Sequence, residues 1–456
     1  MLIIPAIVVL FTYIYWRLHQ VYDVFTPLTI QAALALVAFA FLLDLKLKTI
    51  RLRGSPLLVL LLSFFVWNTI TGIVKAPEQL SQYLVLTLTA LIAFLAVSEG
   101  LQSLRGLGIA AGVLVLFSLA LSTVGIEQWL SPKTCYAVTP HVHGRDSIET
   151  SDGRSCERPM DCVEGGVANT EYNCEHTGLM DTHSIGGRVR YRGVLEDPNE
   201  LAWAINMAMP LAFALYERRR TTRRLLIAIA TVLLGGACVI FTQSRSGQLG
   251  IMATLGVYFI RRFRWRGIAV GAVAAIPLLL LGGRSGEGAE SSSEERLNCW
   301  NEAFTMWREN PVMGVGGGQF TEHYYLTAHN SLLLALAELG PIGLLLWSAA
   351  IYYTIKVTLQ AQRHYAGRPE ASSVRSWSTA LLASLAGSVT SALFLSVMVH
   401  AVLWINLGLV GALYAAIRIH DPTFRVRFGW RDLGLVAAFD FLFVFAVAMY
   451  LRLKGI

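Results

Sequence analysis

A succession of long apolar segments constrains this chain more than any other feature of its sequence. A helix needs about 20 apolar residues to cross the hydrocarbon core of a membrane. Charged residues make up only 15% of the chain, against roughly a quarter of a soluble domain. The sequence therefore predicts an all-α polytopic membrane protein with about 12–13 transmembrane helices. These lie near residues 2–16, 27–43, 56–74, 83–97, 107–125, 200–216, 225–242, 248–260, 267–283, 331–355, 377–398, 401–417 and 432–451.

Lysines and arginines cluster in the short connections between these segments. An even number of predicted spans separates the clusters at residues 46–53, 218–224 and 261–266, so all of them lie on one side. The enrichment of Lys and Arg in cytoplasmic loops makes that side cytoplasmic. The net charge of +7 is thus explained by topology, and without a nucleic-acid-binding motif it argues against a nucleic-acid partner.

The same topology puts two large polar loops on the opposite, periplasmic side of the membrane. Long loops carried by a rigid scaffold commonly hold functional residues. The predicted regions are N-terminal transmembrane helices (1–124), a cysteine-containing loop (125–198), central transmembrane helices (199–283), a loop with an amphipathic helix (284–330) and C-terminal transmembrane helices (331–456).

The first periplasmic loop holds four of the six cysteines. An even number of cysteines in an oxidising compartment indicates two disulfides, and three pairings remain open. A zinc site is the alternative because histidines lie nearby, but the paired C-x-x-C spacing of structural zinc sites is missing. Disulfides are therefore favoured. The cysteines are Cys135, Cys156, Cys162 and Cys174, and the histidines are His141, His143, His176 and His183.

Two arginines stand at predicted membrane boundaries on the periplasmic side. Arg192 precedes the sequence Asp197-Pro198-Asn199, which is typical of a helix start. Ligand binding and a solvated charge are equally good interpretations of Arg192. Arg245 lies in the turn "TQSRSG", where it could extend towards lipid headgroups or bind phosphate with its planar guanidinium. The turn's serines and the first amides of the next helix could add anion-binding donors.

The second periplasmic loop combines a helical pattern with a glycine-rich turn. Apolar residues recur at helical spacing from Leu297 to Trp307, which predicts an amphipathic helix at the membrane surface. Asn310 and Pro311 end it. The glycines between residues 314 and 318 lack the spacing of a nucleotide-binding loop, so they indicate a turn.

The stretch "HNSLLLALAELGPIG" begins the first span after this loop. His329 and Asn330 could simply cap that helix, or His329 could accept a proton near neutral pH. Glu338 follows near the middle of the predicted span. An ionisable group at that depth faces either a cavity or a hydrogen-bonding partner, and both remain open.

These residues resemble the bacterial O-antigen ligases and polysaccharide polymerases. His329 and Asn330, followed after nine residues by Gly340 and Gly343, fit that family's pattern H-[NSQ]-x9-G-x-x-[GTY]. The segments around Arg192, Arg245 and Arg296 follow the family's usual order, whereas the cysteine-containing loop departs from it. The resemblance implies a GT-C-like fold and an inverting glycosyltransferase that needs no metal or cofactor.

The resemblance also implies roles for individual residues. His329 would be the catalytic base, and Arg192, Arg245, Arg296 and Asn330 would bind diphosphate or substrate, with Arg284 in reserve. The donor would be an undecaprenyl-diphosphate-linked oligosaccharide in the bacterial inner membrane. The acceptor would be a lipid-linked repeat unit, which we prefer, or lipid A–core. A regulator of chain length is a further expected partner. A transporter of lipid-linked glycans and a membrane scaffold are less favoured, because the distinctive residues gather on one side.

Overall fold

Helices dominate the computed structural model, which describes residues 1–25, 29–52, 54–139, 148–167, 170–269 and 287–456. Within these ranges, seven helices are long and apolar enough to cross a membrane. The prediction of an all-α polytopic membrane protein is confirmed. The seven helices are Pro56–Lys75, Tyr83–Gly100, Leu104–Leu130, Thr222–Phe241, Ser331–His364, Ala401–His420 and Trp430–Lys454.

Other predicted spans within the described residues are helical too, but their helices are shorter or more polar than a helix that crosses a membrane alone. The predicted span near 267–283 lies almost entirely outside the described residues. The helix Pro198–Arg218 is buried along most of its length, and it packs against Ser372–Ala392, Leu104–Leu130, Thr222–Phe241 and Arg245–Phe263. Polar residues are tolerated in such a central helix because it faces protein instead of lipid. The remaining helices of this group are Ile3–Phe11, which continues as the π-helix Thr12–Trp16, and Ile30–Lys46.

The helix that begins at Ser331 is broken in its interior. Gly340 has φ 66° and ψ −173°, and Pro341 follows it. Glycine adopts this conformation without the steric penalty of a Cβ atom, and proline cannot donate the next helical hydrogen bond. Its apolar sequence predicts one continuous span over residues 331–355. The structure instead shows a short helical segment over residues 331–339 and a second segment that starts after the break.

The cysteine-containing loop folds as a four-stranded antiparallel sheet, which the sequence analysis did not predict. The strands are β1 (Lys133–Thr139), β2 (Ile148–Ser155), β3 (Glu171–Gly178) and β4 (Thr182–His183), in the order β2-β1-β3-β4. Cys135 and Cys174 lie opposite each other on β1 and β3. Each bonds elsewhere: Cys135 to Cys162 in the short helix Pro159–Val163, and Cys174 to Cys156 after β2.

The amphipathic segment of the second loop is the helix Glu287–Glu309, which packs mainly against Ser331–His364. Ala303 and Phe304 are buried, as their positions on the predicted apolar face require. A short helix, Phe320–His323, follows. The ends of several helices therefore meet the sheet and this second loop at one face of the bundle, which we call the loop-bearing face.

Candidate active site

A polar network on the loop-bearing face begins at the helix Pro198–Arg218. Asp197 is its N-cap and accepts a hydrogen bond of 2.6 Å from the amide of Asn199. The side-chain nitrogen of Asn199 donates to the same carboxylate over 2.7 Å. The capping role expected for this segment thus falls to Asp197. Asn199 is left with its amide oxygen directed away from the helix, where it can hold other segments.

The turn before Arg245 is attached to that oxygen. The Ser244 hydroxyl donates to Asn199 Oδ1 over 2.6 Å and accepts from the amide of Gly247 over 2.9 Å. Ser244 therefore caps the helix Arg245–Phe263 and joins it to the helix Pro198–Arg218. Ser244 and Ser246 are buried. Of the donors expected here for a phosphate, Arg245 and Ser246 line an open cleft.

Arg188 completes the junction, and the sequence analysis missed it. Its Nε donates to the carbonyl of Thr242 over 2.9 Å, and its Nη2 donates to Asn199 Oδ1 over 3.1 Å. The sequence does contain a signal for this residue, because arginines alternate with apolar residues in Arg188-Val189-Arg190-Tyr191-Arg192. Val189 and Tyr191 are buried in the core. Such a period of two is typical of an extended segment that directs every second residue to one face.

Arg188, Arg245 and Arg296 line one cleft of about 310 Å³. Arg296 comes from the helix Glu287–Glu309, so three separate segments each supply one guanidinium. Leu249 and Trp300 add apolar walls. Such a cleft favours a ligand that carries negative charge beside an apolar group.

His329 lies close to this cleft in an unusual backbone conformation. Its φ is 48°, a left-handed value that costs a non-glycine residue on the order of 1 kcal/mol or more. Burial lowers the pKa of His329, the positive charge of Arg296 lowers it further, and the negative charge of Asp197 opposes both. The imidazole is therefore neutral at neutral pH and able to accept a proton.

Asn330 holds His329 in place. Its Oδ1 accepts from the amides of Leu332 and Leu333 over 3.0 and 3.2 Å, and its Nδ2 donates to the carbonyl of Leu393 over 3.1 Å. The side chain is buried. Both of its polar ends are used to cap the helix and to attach it to its neighbour. These bonds fix the start of the helix directly after His329, and the expected contact of Asn330 with substrate stays a prediction.

His400 contrasts with His329. It caps the helix Ala401–His420 by accepting from the amide of Val402 over 3.2 Å, and its other ring nitrogen lies 3.0 Å from the carbonyl of Val194. Burial lowers the pKa of His400 to about 4, so it is neutral, with Nε2 as the donor. Both nitrogens are occupied, so this histidine anchors the segment that leads to Asp197.

Arg192 does not line the cleft that Arg188, Arg245 and Arg296 share. Its guanidinium donates to the carbonyl of Met180 over 2.7 Å and lies 3.0 Å from the Asp181 carboxylate. It lines a second cavity, next to the β-sheet. Arg284, the reserve candidate, lies outside the described residues.

Glu338 belongs to a hydrogen-bond network, one of the two interpretations left open by the sequence. Its carboxylate accepts from the amides of Gly318 and Phe320 over 2.9 and 3.0 Å. The carbonyls of Ala337 and Glu338 accept from Val315 and Gly316, each over 2.9 Å. The last turn before the helix break thereby finds partners for carbonyls that would otherwise lack them. Glu338 fixes the glycine-rich turn between the two loop helices.

Part of the chain that forms this site matches a known protein family. Residues 229–348 match the family model described as O-antigen ligase (Wzy_C). No curated protein matches the chain. The matched range contains Arg245, Arg296 and His329, whereas Arg188 and Asp197 precede it.

Proposed function

We propose that this member of the O-antigen ligase superfamily, matched over residues 229–348, transfers a glycan from an undecaprenyl-diphosphate carrier. The acceptor is a sugar hydroxyl on the periplasmic face of the inner membrane. The superfamily and the membrane helices support a membrane enzyme that transfers glycans. The observation that carries the finer proposal is the convergence of Arg188, Arg245 and Arg296 in one cleft close to His329.

In the proposed reaction His329 is the general base. The acceptor hydroxyl gives its proton to the neutral imidazole, and its oxygen forms a bond to the anomeric carbon of the donor sugar. The bond from that carbon to the diphosphate oxygen breaks, and undecaprenyl diphosphate leaves with the electron pair. Attack opposite the leaving group inverts the anomeric configuration. The lowered pKa keeps His329 unprotonated before the reaction, and Asp197 stabilises the imidazolium that forms.

The three arginines would stabilise the leaving group. A diphosphate that departs from carbon gains negative charge and needs neutralisation instead of a proton. Guanidinium groups fixed around the cleft supply that charge without reorganising during the reaction, and their planar donors match phosphate oxygens. On this account no metal ion is required, and we expect transfer to persist after dialysis against EDTA.

For the acceptor we propose the next lipid-linked repeat unit, so that the enzyme polymerises O-antigen or exopolysaccharide units. The sequence has no motif that we associate specifically with lipid A. The alternative is a ligase that uses lipid A–core, and the description of the matched family favours it. Reconstitution with lipid-linked repeat units alone distinguishes the two. Chain growth without lipid A–core supports the polymerase, and growth only after lipid A–core is added supports the ligase.

The role of His329 is tested by its replacement with alanine. We expect transfer to fall by about 10²–10⁴-fold, the usual contribution of a general base, while binding of undecaprenyl diphosphate is retained. His323→Ala is the matched control, because His323 lies on the same loop and is exposed. Normal transfer by the His329→Ala enzyme would exclude the proposed base.

A further inference from the structure

The second cavity, which contains Arg192, has the dimensions of a ligand site. Its volume is about 680 Å³, within the range of about 300–1,000 Å³ typical of small-molecule sites. One wall is the β-sheet, through Glu149 and His183. The other is the extended segment before the helix Pro198–Arg218, through Arg190 and Arg192. No residue of this cavity belongs to the arginine cleft.

The charged groups in this cavity are paired with one another. Arg190 Nη2 lies 2.7 Å from the Glu149 carboxylate, which also lies 2.5 Å from His183 Nε2. Arg192 is paired with Asp181 over 3.0 Å. Because Glu149, Asp181 and Glu196 outnumber the two arginines, the cavity is not built to attract an anion. It offers fixed donors and acceptors side by side, which suits a ligand rich in hydroxyl groups.

The rim of the cavity is open and polar. The Asp181 and Glu196 side chains are 94% and 63% exposed, and Thr150 is exposed on the edge strand β2. Carboxylates accept hydrogen bonds from hydroxyls, and such charge-assisted bonds are stronger than neutral ones. The exposed carboxylates of Asp181 and Glu196 can therefore bind a sugar chain while they remain paired with Arg192 and Arg190.

The sheet is firmly attached to the helices, so the cavity has a fixed position. Gln128, near the end of the helix Leu104–Leu130, accepts from the amide of Arg190 over 3.0 Å and donates to Thr182 over 2.9 Å. Trp129 stacks on His176 of β3 with ring centroids 5.7 Å apart. These contacts tie the sheet to the helical bundle that carries the arginine cleft.

One extended segment joins the two cavities. Arg188 lines the arginine cleft, whereas Arg190 and Arg192 line the second cavity. Alternate residues of an extended chain are about 7 Å apart, so the backbone positions that line the two cavities lie within the length of a short oligosaccharide. An oligosaccharide with one end in the arginine cleft is therefore long enough to span the distance to the second cavity.

We propose that the second cavity is a saccharide subsite, which binds hydroxyl groups of an oligosaccharide whose reacting end lies in the arginine cleft. This inference rests on the proposed function. The oligosaccharide is either the distal part of the donor glycan or part of the acceptor, and the two share the same chemistry.

The test removes the rim carboxylates from the full-length protein in lipid nanodiscs. The double variant Asp181→Asn, Glu196→Gln keeps the size of both side chains. Asparagine also tolerates the left-handed backbone of residue 181, where φ is 55°. The probe is oligosaccharide released by mild acid from the host's own surface polysaccharide. We expect its Kd to rise about tenfold or more, the effect of losing a hydrogen bond to a charged group. Glu157→Gln, an exposed change elsewhere on the same domain, is the matched control.

A second variant, Thr150→Trp, blocks the rim by bulk and is expected to weaken binding of the probe as well. Unchanged binding in both variants, or no binding of the probe by the wild-type protein, would overturn the subsite. Binding of sugar-free undecaprenyl diphosphate is measured in parallel and should not change. If the wild-type protein neither binds that lipid nor transfers glycan, the proposed function fails, whatever the probe does. A rise in KM for the donor identifies the bound glycan as the donor's, and a rise for the acceptor identifies it as the acceptor's.

Discussion

Replacing Glu338 with alanine is expected to release the glycine-rich turn from the helix that starts at Ser331. The carboxylate accepts two amide hydrogen bonds, from Gly318 and Phe320. Without it, both N–H groups lose their acceptor, and each unsatisfied buried donor costs about 1–3 kcal/mol. The lower limit of the sum, about 2 kcal/mol, corresponds to a roughly 30-fold increase in local opening. The bonds to the carbonyls of residues 337 and 338 remain, so the effect should be confined to residues 317–320.

Hydrogen–deuterium exchange measured by mass spectrometry is the suitable assay, because it reports opening locally. Peptides that cover residues 317–320 should exchange about 30-fold faster in Glu338→Ala than in the wild-type protein. Glu338→Gln retains one acceptor oxygen and should give an intermediate rate. Glu309→Ala, at an exposed helix end, should leave these peptides unaffected. Exchange in Glu338→Ala within twofold of the wild-type rate would refute the anchoring role of the carboxylate.

Three further predictions concern the cleft and the sheet. Transfer should reach a plateau at alkaline pH and fall as the pH drops through the lowered pKa of His329, since the protonated ring cannot accept a proton. Arg296→Gln should move this acidic limb to higher pH in a pH–rate profile, whatever it does to the maximal rate. Arg188→Lys loses the two directed bonds of the guanidinium and should lower transfer about tenfold or more in the reconstituted assay. Non-reducing peptide mapping should find Cys156 linked to Cys174, and replacing both with serine should destabilise the sheet by about 2–5 kcal/mol in a thermal unfolding assay.

Local sequence patterns predict much of this structure. Apolar length predicts the helical membrane region, and helical spacing predicts the buried positions of Ala303 and Phe304. The start of a helix at Asp197-Pro198-Asn199 is equally local, because a cap depends on its own first turn. The placement of Arg245 and Arg296 on one face follows from counting spans, which needs no knowledge of packing.

The rest depends on contacts between distant segments. Arg192 has the same sequence context as a ligand-binding arginine, yet its partner Asp181 directs it to another cavity. The alternation around Arg188 indicates an extended segment, but its hydrogen bond to Asn199 depends on packing and is known only from the structure. Strand pairing in the cysteine-containing loop is likewise non-local, since β1 pairs with both β2 and β3. Such partners cannot be read from spacing along the chain.

The break at Gly340 bears on the depth of the proposed centre. After it, only residues 341–355 precede the first charged residue, Lys356, which pairs with Asp432. These residues give about 23 Å of helix at 1.5 Å per residue, less than the roughly 30 Å of a hydrocarbon core. The nine residues before the break are then needed to complete the crossing, so His329 lies at the outer boundary of the acyl chains. On the proposed function, a carrier lipid could present its diphosphate at that boundary while its tail stays among the acyl chains.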